Sequence, residues 1–234
     1  YLSTNGGGSW APSLNVVMAT DLEIDPTNSQ VIYAACGNFA SAGYGLYRTR
    51  NGGASWTRLT AGLPVTWGGK AELALAPTNA QRLYASIGNG SATGAGTWLC
   101  RSDNGGDSWS IVSTADYSDY QGWYSHDVAV SPGDAGTVLA VGIDVWKSTA
   151  AGASLGIVTD WSQMYLGQVP AGGPEGPSNY SHADHHQVVY HPTNPNVAYL
   201  TTDGDIFRTR DAGTTFEGCN CGYQTGQFYN GFSS

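Results

Sequence analysis

The sequence predicts an all-β chain, a β-propeller of four-stranded antiparallel blades, and three observations lead there. A turn signature, Ser/Thr-x-Asn/Asp-x-Gly-x-x-aromatic, recurs with starts at residues 3, 49, 102, 148 and 209. A second motif recurs in phase with it. The composition, with 33 Gly, 14 Tyr and 8 Trp but only 12% charged residues, is that of a Gly-punctuated aromatic β protein. Repeats spaced about 40 to 60 residues apart are the mark of a repeat array, and for β-type repeats of a propeller.

The signature residues are Ser3, Asn5, Gly7 and Trp10, then Thr49, Asn51, Gly53 and Trp56, then Ser102, Asn104, Gly106 and Trp109, and finally Thr209, Asp211, Gly213 and Phe216. A worn copy runs from Ser148 to Leu155, with Ala150 in the Asn position. An Asn or Asp side chain there is expected to accept backbone N–H groups two residues on and close the turn. The hydroxyl donates within the loop. Gly supplies positive φ, and the terminal aromatic fills the seam between blades.

The second motif reads Leu22 to Tyr33, Leu73 to Tyr84, Val128 to Leu139 and Val188 to Tyr199. Each copy has alternating apolar residues, a Pro-x-Asn/Asp turn and a second apolar run, which is two strands and a tight turn. A third strand follows, such as Gly45–Arg48 or Asp205–Arg208, then the signature and a fourth strand. Four strands per repeat make one blade. Complete blades are expected at about 16–60, 70–113, 126–165 and 186–217. Residues 1–14 hold only a closing turn and last strand, and a further blade is expected to start within 225–234. With both ends inside the repeat pattern, the chain reads as part of a larger propeller. Closure of a small four-bladed one through residues 1–14 is the alternative.

The signature matches the Asp-box, or BNR repeat, so the chain resembles sialidase-like and sortilin-like propellers over nearly its whole length. The second half is similar in more detail to exported bacterial BNR-repeat proteins of the glycosyl hydrolase type. The segments that carry this likeness are Gln121–Tyr124, Gly142–Ser148, His182–His186, Thr202–Arg208 and Gln227–Tyr229. The resemblance implies the propeller fold and an extracellular or cell-surface location more firmly than it implies chemistry.

A net charge of −9 argues against a nucleic-acid partner, which needs a basic patch. No apolar stretch is long enough to span a membrane. The cysteines are Cys36, Cys100, Cys219 and Cys221. Free thiols, a bridge between Cys36 and Cys100, and a Cys219–Cys221 link all fit an exported protein.

Propeller topology puts the signatures on one face and residues 37–45, 60–71, 88–97, 113–127 and 160–186 on the other. Loops on a rigid scaffold are where function concentrates. Three groups stand out on that loop face. Trp67, Tyr117, Tyr120, Trp123, Tyr124 and Tyr180 are candidates for stacking on a sugar or partner, with packing between blades as the other reading. His182, Asp184, His185 and His186 have the donor types for a divalent metal ion, or form a polar loop bonded to neighbouring blades. Among the carboxylates, Asp127, Asp144, Asp184 and Asp203 are candidates for the acid and base pair of a glycosidase.

The sialidase relatives bind an anionic substrate with three arginines. Of the seven arginines here, Arg48, Arg50, Arg101, Arg208 and Arg210 flank signatures, and Arg82 lies in a turn on the same face, which leaves Arg58. No such triad is expected. The chain also lacks a convincing match to the motifs of Asp-box xyloglucanases. Two functions remain: a secreted propeller that binds a glycan or a protein, or builds a surface assembly, and a secreted glycoside hydrolase. Two carboxyls about 5–10 Å apart in an aromatic cleft would favour the hydrolase.

Overall fold

The computed structural model describes residues 1–90, 94–164 and 176–219. They form four four-stranded antiparallel sheets, each a meander in sequence order. The first blade is β1 (Ala19–Ile24), β2 (Ile32–Cys36), β3 (Gly45–Thr49) and β4 (Thr57–Leu59). The second is β5 (Ala71–Leu75), β6 (Leu83–Gly88), β7 (Thr97–Ser102) and β8 (Ser110–Ser113). The third is β9 (Asp127–Val130), β10 (Val138–Val141), β11 (Val145–Ser148) and β12 (Gly156–Ile157). The fourth is β13 (His185–His191), β14 (Asn194–Thr202), β15 (Ile206–Thr209) and β16 (Glu217–Gly218). The predicted fold class is the one observed. The further blade expected within 225–234 lies outside the described residues.

The core lies between blades, because alternate residues of each strand point to opposite faces. Tyr33 and Ala35 of the first blade join Leu73, Leu83 and Ile87 of the second. Ala74 and Tyr84 of the second join Val128 and Val138 of the third. Leu139 and Val145 of the third join Val188, Leu200 and Phe207 of the fourth. On the far side of the first blade, Ala34, Cys36 and Tyr47 are covered by Leu14, Val16 and Trp56.

The signatures share one hydrogen-bond pattern. The hydroxyl of Ser3, Thr49, Ser102 or Thr209 donates to the Asn or Asp oxygen two residues on. It also accepts the N–H of that residue and of the Gly four residues on. The Asn or Asp oxygen then accepts the N–H four residues on, at 2.8–2.9 Å. This corrects the expected span of two residues. Two successive left-handed residues, such as Gly105 (φ 65°) and Gly106 (φ 84°), reverse the chain and bring the more distant N–H to the side chain. Ala151 and Ala212 hold the first of those conformations without being glycine. The closing aromatic fills a seam in two signatures, with Trp109 and Phe216 each 5% exposed, whereas Trp10 is 63% exposed.

The signatures also fasten blades together. Tyr33 Oη donates to Gly105 O at 3.0 Å, and the Arg48 guanidinium bonds the same carbonyl. One blade further on, Arg101 reaches Ala151 O at 2.9 Å and Tyr84 Oη reaches Ala135 O at 2.8 Å.

Cys36 and Cys100 are buried free thiols, and Cys219 is exposed and free. Burial pushes the Cys100 thiol up to about 12. Cys221 and the Gln227–Tyr229 segment lie outside the described residues, and no described helix is long and apolar enough to cross a membrane.

The signature bonds give an unequal pair of expected outcomes. Replacing Ser102 by Ala strands the buried Gly106 N–H and is expected to cost about 1–3 kcal/mol. Ser3→Ala removes the same bond at an exposed turn and is expected to cost well under that. Urea unfolding of both variants checks the ranking, and equal losses would contradict it.

Candidate functional site on the loop face

Loops from successive blades meet at the end of the array opposite the signatures. Gly69 N donates to Gly88 O at 2.9 Å, and Lys70 N donates to Gly122 O at 3.0 Å. Backbone runs so close there that a Cβ on Gly88 would lie 2.0 Å from Gly122 O. This crossing pins the segment that carries Tyr120, Trp123 and Tyr124. Asn38 Nδ2 also holds Trp123 O at 2.6 Å.

Beneath that segment lies a buried polar relay. Tyr117 Oη donates to Ser86 Oγ at 2.7 Å, and Ser86 Oγ lies 2.7 Å from His126 Nδ1. His126 Nε2–H faces Gly122 O at 3.2 Å, so Nδ1 is the acceptor. Burial pulls His126 down to about 3, which keeps it a neutral imidazole.

A ribbon of rings crosses the face. Phe39 and Trp123 have centroids 5.2 Å apart, Trp123 and Tyr124 5.1 Å, and Tyr124 and His186 4.8 Å edge-on. Asp203 ends the ribbon, accepting Tyr124 Oη at 3.0 Å and His186 Nε2 at 2.6 Å. Beside it opens a cleft of about 290 Å³ lined by Asp119, Tyr120, Ile143, Trp161, Met164, His182, Ala183 and Asp184. Asp144 Oδ1 accepts Trp161 N and Thr159 Oγ1, both at 2.9 Å, and so sets the turn Trp161–Met164. Asp119 and Asp184 are both in the left-handed region, at φ 45° and 62°. Burial, then the charge of Asp203, raises the Asp184 carboxyl above its ordinary value.

The structure separates the sequence-predicted residues into these places. Tyr120, Trp123 and Tyr124 belong to the cleft and ribbon. Trp67, Tyr117 and Tyr180 do not, being 6%, 1% and 4% exposed. Trp67 packs edge-on to Tyr44 and Tyr180 edge-on to Phe207, so a ligand-stacking role for these three is corrected to core packing.

The proposed metal set is also dispersed. His185 is fully buried, with Nδ1 on Gly142 O at 2.8 Å and Nε2 on Ser181 Oγ at 3.1 Å. His182 Nδ1 donates to Ala183 O, and His186 is held by Asp203. Among the described residues, no three His, Cys, Asp or Glu side chains gather to hold a metal ion.

Of the carboxylate candidates, Asp184 and Asp203 lie together. Asp144 is a support for the Trp161 turn, and Asp127 lies elsewhere, in the central channel. The channel is a cavity of about 300 Å³ lined by the first strands of all four blades. Asp21, Glu72, Asp127 and Gln187 occupy one register position of the first strands, each immediately before the first apolar residue of its motif, and Asp21, Asp127 and Gln187 line the cavity. Asp21 Oδ2 accepts Leu73 N of the next blade at 2.7 Å, and Asp127 Oδ2 accepts Val188 N at 2.8 Å. Sequence reasoning singled out Asp127 alone. The column was legible in the repeat alignment one place upstream of its first apolar residue.

Burial raises Asp127 and Glu23 to about 7 and Glu72 to about 8. Neighbouring acids reinforce the shift, and for Glu72 burial outweighs an ion pair to Lys70 at 2.6 Å.

The fold can be compared with solved structures. The GH74 xyloglucanase from Xanthomonas campestris matches with a TM-score of 0.66 at 19% identity, over 87% of this chain and 30% of that one. The GH74 enzyme of Niastella koreensis matches with 0.63 at 19%, over 87% and 30%. YCF48 from Cyanidioschyzon merolae matches with 0.56 at 12%, over 88% and 57%. These are β-propellers, and at such identities the likeness is one of fold. The chain spans about a third of the length of the GH74 structures it matches. No protein-family model and no curated protein matches it in sequence.

The acids of the first strands set a pH dependence. Unfolded, they release their protons at the ordinary carboxyl values of 3.8 and 4.5, whereas folded they hold them to about 7 or 8. The folded chain binds more protons in that window, so stability is greatest at its acid end and falls as pH rises through it. The melting temperature is expected to drop between pH 5 and pH 9, less steeply in Glu23→Gln. A flat or rising profile by calorimetry would contradict the assignment.

Proposed function

We propose that the chain is a carbohydrate-binding propeller module that takes its glycan on the loop face, in the cleft beside the Trp123–Tyr124 ribbon. One observation carries the reading: an aromatic-lined concavity sits where loops of three successive blades converge on a rigid scaffold. Sugar-sized sites are concave and largely apolar, with a few fixed polar groups. Tyr120 and Trp161 supply ring surface, Met164 and Ile143 apolar lining, and Asp119, Asp184 and His182 hydrogen-bonding groups. The Asp-box likeness of the signatures adds to the reading, and with it a location outside the cell, in a longer propeller or a surface assembly.

Glycoside hydrolysis is the second reading, and Asp184 is what favours it. A carboxyl that holds its proton above the ordinary range, next to the hydrogen-bonded Asp203, has the character of an acid and base pair.

Glycan-array screening followed by titration calorimetry tests the binding reading. Tyr120→Ala and Trp161→Ala are each expected to weaken a glycan hit by roughly tenfold, about 1.4 kcal/mol. Arg50→Ala, on the signature face, is expected to leave it unchanged. Release of reducing ends that is lost in Asp184→Asn would replace binding with hydrolysis. Absence of any glycan hit would remove both.

A further inference from the structure

The charges of this protein are sorted by face. Arg48 and Arg50 pair with Asp107, Arg82 and Arg101 with Asp103, and Arg208 and Arg210 with Glu217, all beside signatures. Arg58 bonds Tyr44 O, and Lys70 pairs with Glu72 of β5. Lys147, the last of the nine basic side chains, lies in β11 next to a signature. None of them lines the loop-face cleft.

Acids lie on both faces, and those at the cleft have no Arg or Lys beside them in its lining. Asp119 and Asp184 line the cleft, and Asp203 is close enough for its charge to act on Asp184. Asp205 interacts with His182 across the same wall. The titratable groups facing Asp184 are therefore His182, Asp203 and, through Asp203, His186. Asp184 itself is half-buried, and the partners within reach are neutral: Ser125 Oγ at 3.4 Å and the Gln121 side chain.

An anionic ligand would enter this cleft against like charge. A neutral sugar would leave the Asp184 carboxyl desolvated with His182 alone beside it as a counter-charge. A cation gains from both the carboxylates and the rings, since ammonium groups are attracted to Trp and Tyr faces. The cation need not be a metal ion, because the described side chains do not gather into a metal-binding set. A protonated amine fits better: it is held by one or two carboxylates together with ring faces and needs no closed coordination shell.

Taking the glycan-binding reading as its premise, we propose that the cleft lined by Asp119, Tyr120, Trp161 and Asp184 recognises the protonated amine of an amino sugar. The ligand class is then a glycan of hexosamine units with free 2-amino groups, in preference to its N-acetylated, neutral or uronic counterparts.

Three oligosaccharides of equal length test it by calorimetry at pH 6: glucosamine, N-acetylglucosamine and galacturonic acid oligomers. The glucosamine oligomer is expected to bind at least tenfold tighter than the N-acetylated one, and the galacturonate not at all. Asp184→Asn and Asp119→Asn keep side-chain size and an acceptor oxygen, and each is expected to shrink the amine preference severalfold. Raising salt is expected to weaken the glucosamine oligomer alone. Equal or tighter binding of the N-acetylated oligomer overturns the amine assignment and leaves the glycan reading standing. Binding of none of the three by the folded protein overturns both.

Discussion

A four-stranded blade has two apolar faces, and only another blade or an equivalent layer can cover them. Everything else in this structure depends on that constraint. Tyr33 and Ala35 face one neighbour while Ala34 and Cys36 face the other way, because side chains alternate along a strand. A single blade of this kind would expose half of its core on each side. The cost is visible in the first strands: Leu73, Val128 and Val188 are each 3% exposed, whereas Leu22, at the same position of the terminal first blade, is 59% exposed. Burying such positions is worth roughly 1.5–3 kcal/mol for each large aliphatic side chain, so stacking of blades is the main source of cohesion.

Apolar faces alone do not fix how one blade sits on the next. Polar fasteners do that at both ends of the stack. On the signature side, Tyr33 and Arg48 converge on one carbonyl of the following blade, Gly105 O. In the channel, Asp21 and Asp127 accept a backbone N–H from the next first strand. Both devices take up backbone groups that turn geometry or strand edges would otherwise leave open, so register between blades is set by bonds that have few alternatives. With the stack registered in this way, the loop ends arrive at fixed places, and close backbone contacts such as that between Gly88 and Gly122 become possible.

This explains which parts were legible in the sequence. The signatures were, because a turn needs particular residues at particular offsets and a repeat displays them several times. The strands were, because a Pro-x-Asn turn between alternating apolar runs has few other solutions. Side-chain direction in long loops was not. Trp67, Tyr117 and Tyr180 have the same residue types as Tyr120 and Trp123, yet they point into seams, and nothing local to their segments says so. His185 and His186 are adjacent in sequence but sit at a register shift in β13, one fully buried and one beside Asp203. Reading them as a set assumed a convergence that their separate hydrogen-bond partners rule out. Phe39 was missed as a ribbon member because a single exposed aromatic in a Gly-rich loop carries no pattern.

Backbone strain points the same way as the charges. Of the non-glycine residues with positive φ, Ala151, Ser154 and Ala212 belong to signatures, where the turn itself demands that conformation. Met18 leads into β1, and its carbonyl is bonded by Gly37 N. The others are Phe39 and Ala40, in the loop that carries the ribbon's first ring, and Asp119 and Asp184, both lining the cleft. Aspartate tolerates the left-handed region better than most residues, yet it is still a conformation held by its surroundings. A scaffold stiff enough to hold four such residues on one face, in loops and beside the cleft, gives up local comfort to fix two carboxylates and a ring. An unused face would gain nothing from that arrangement. The strain is therefore a second line of argument, independent of charge, for placing recognition on the loop face rather than on the signatures that define the fold.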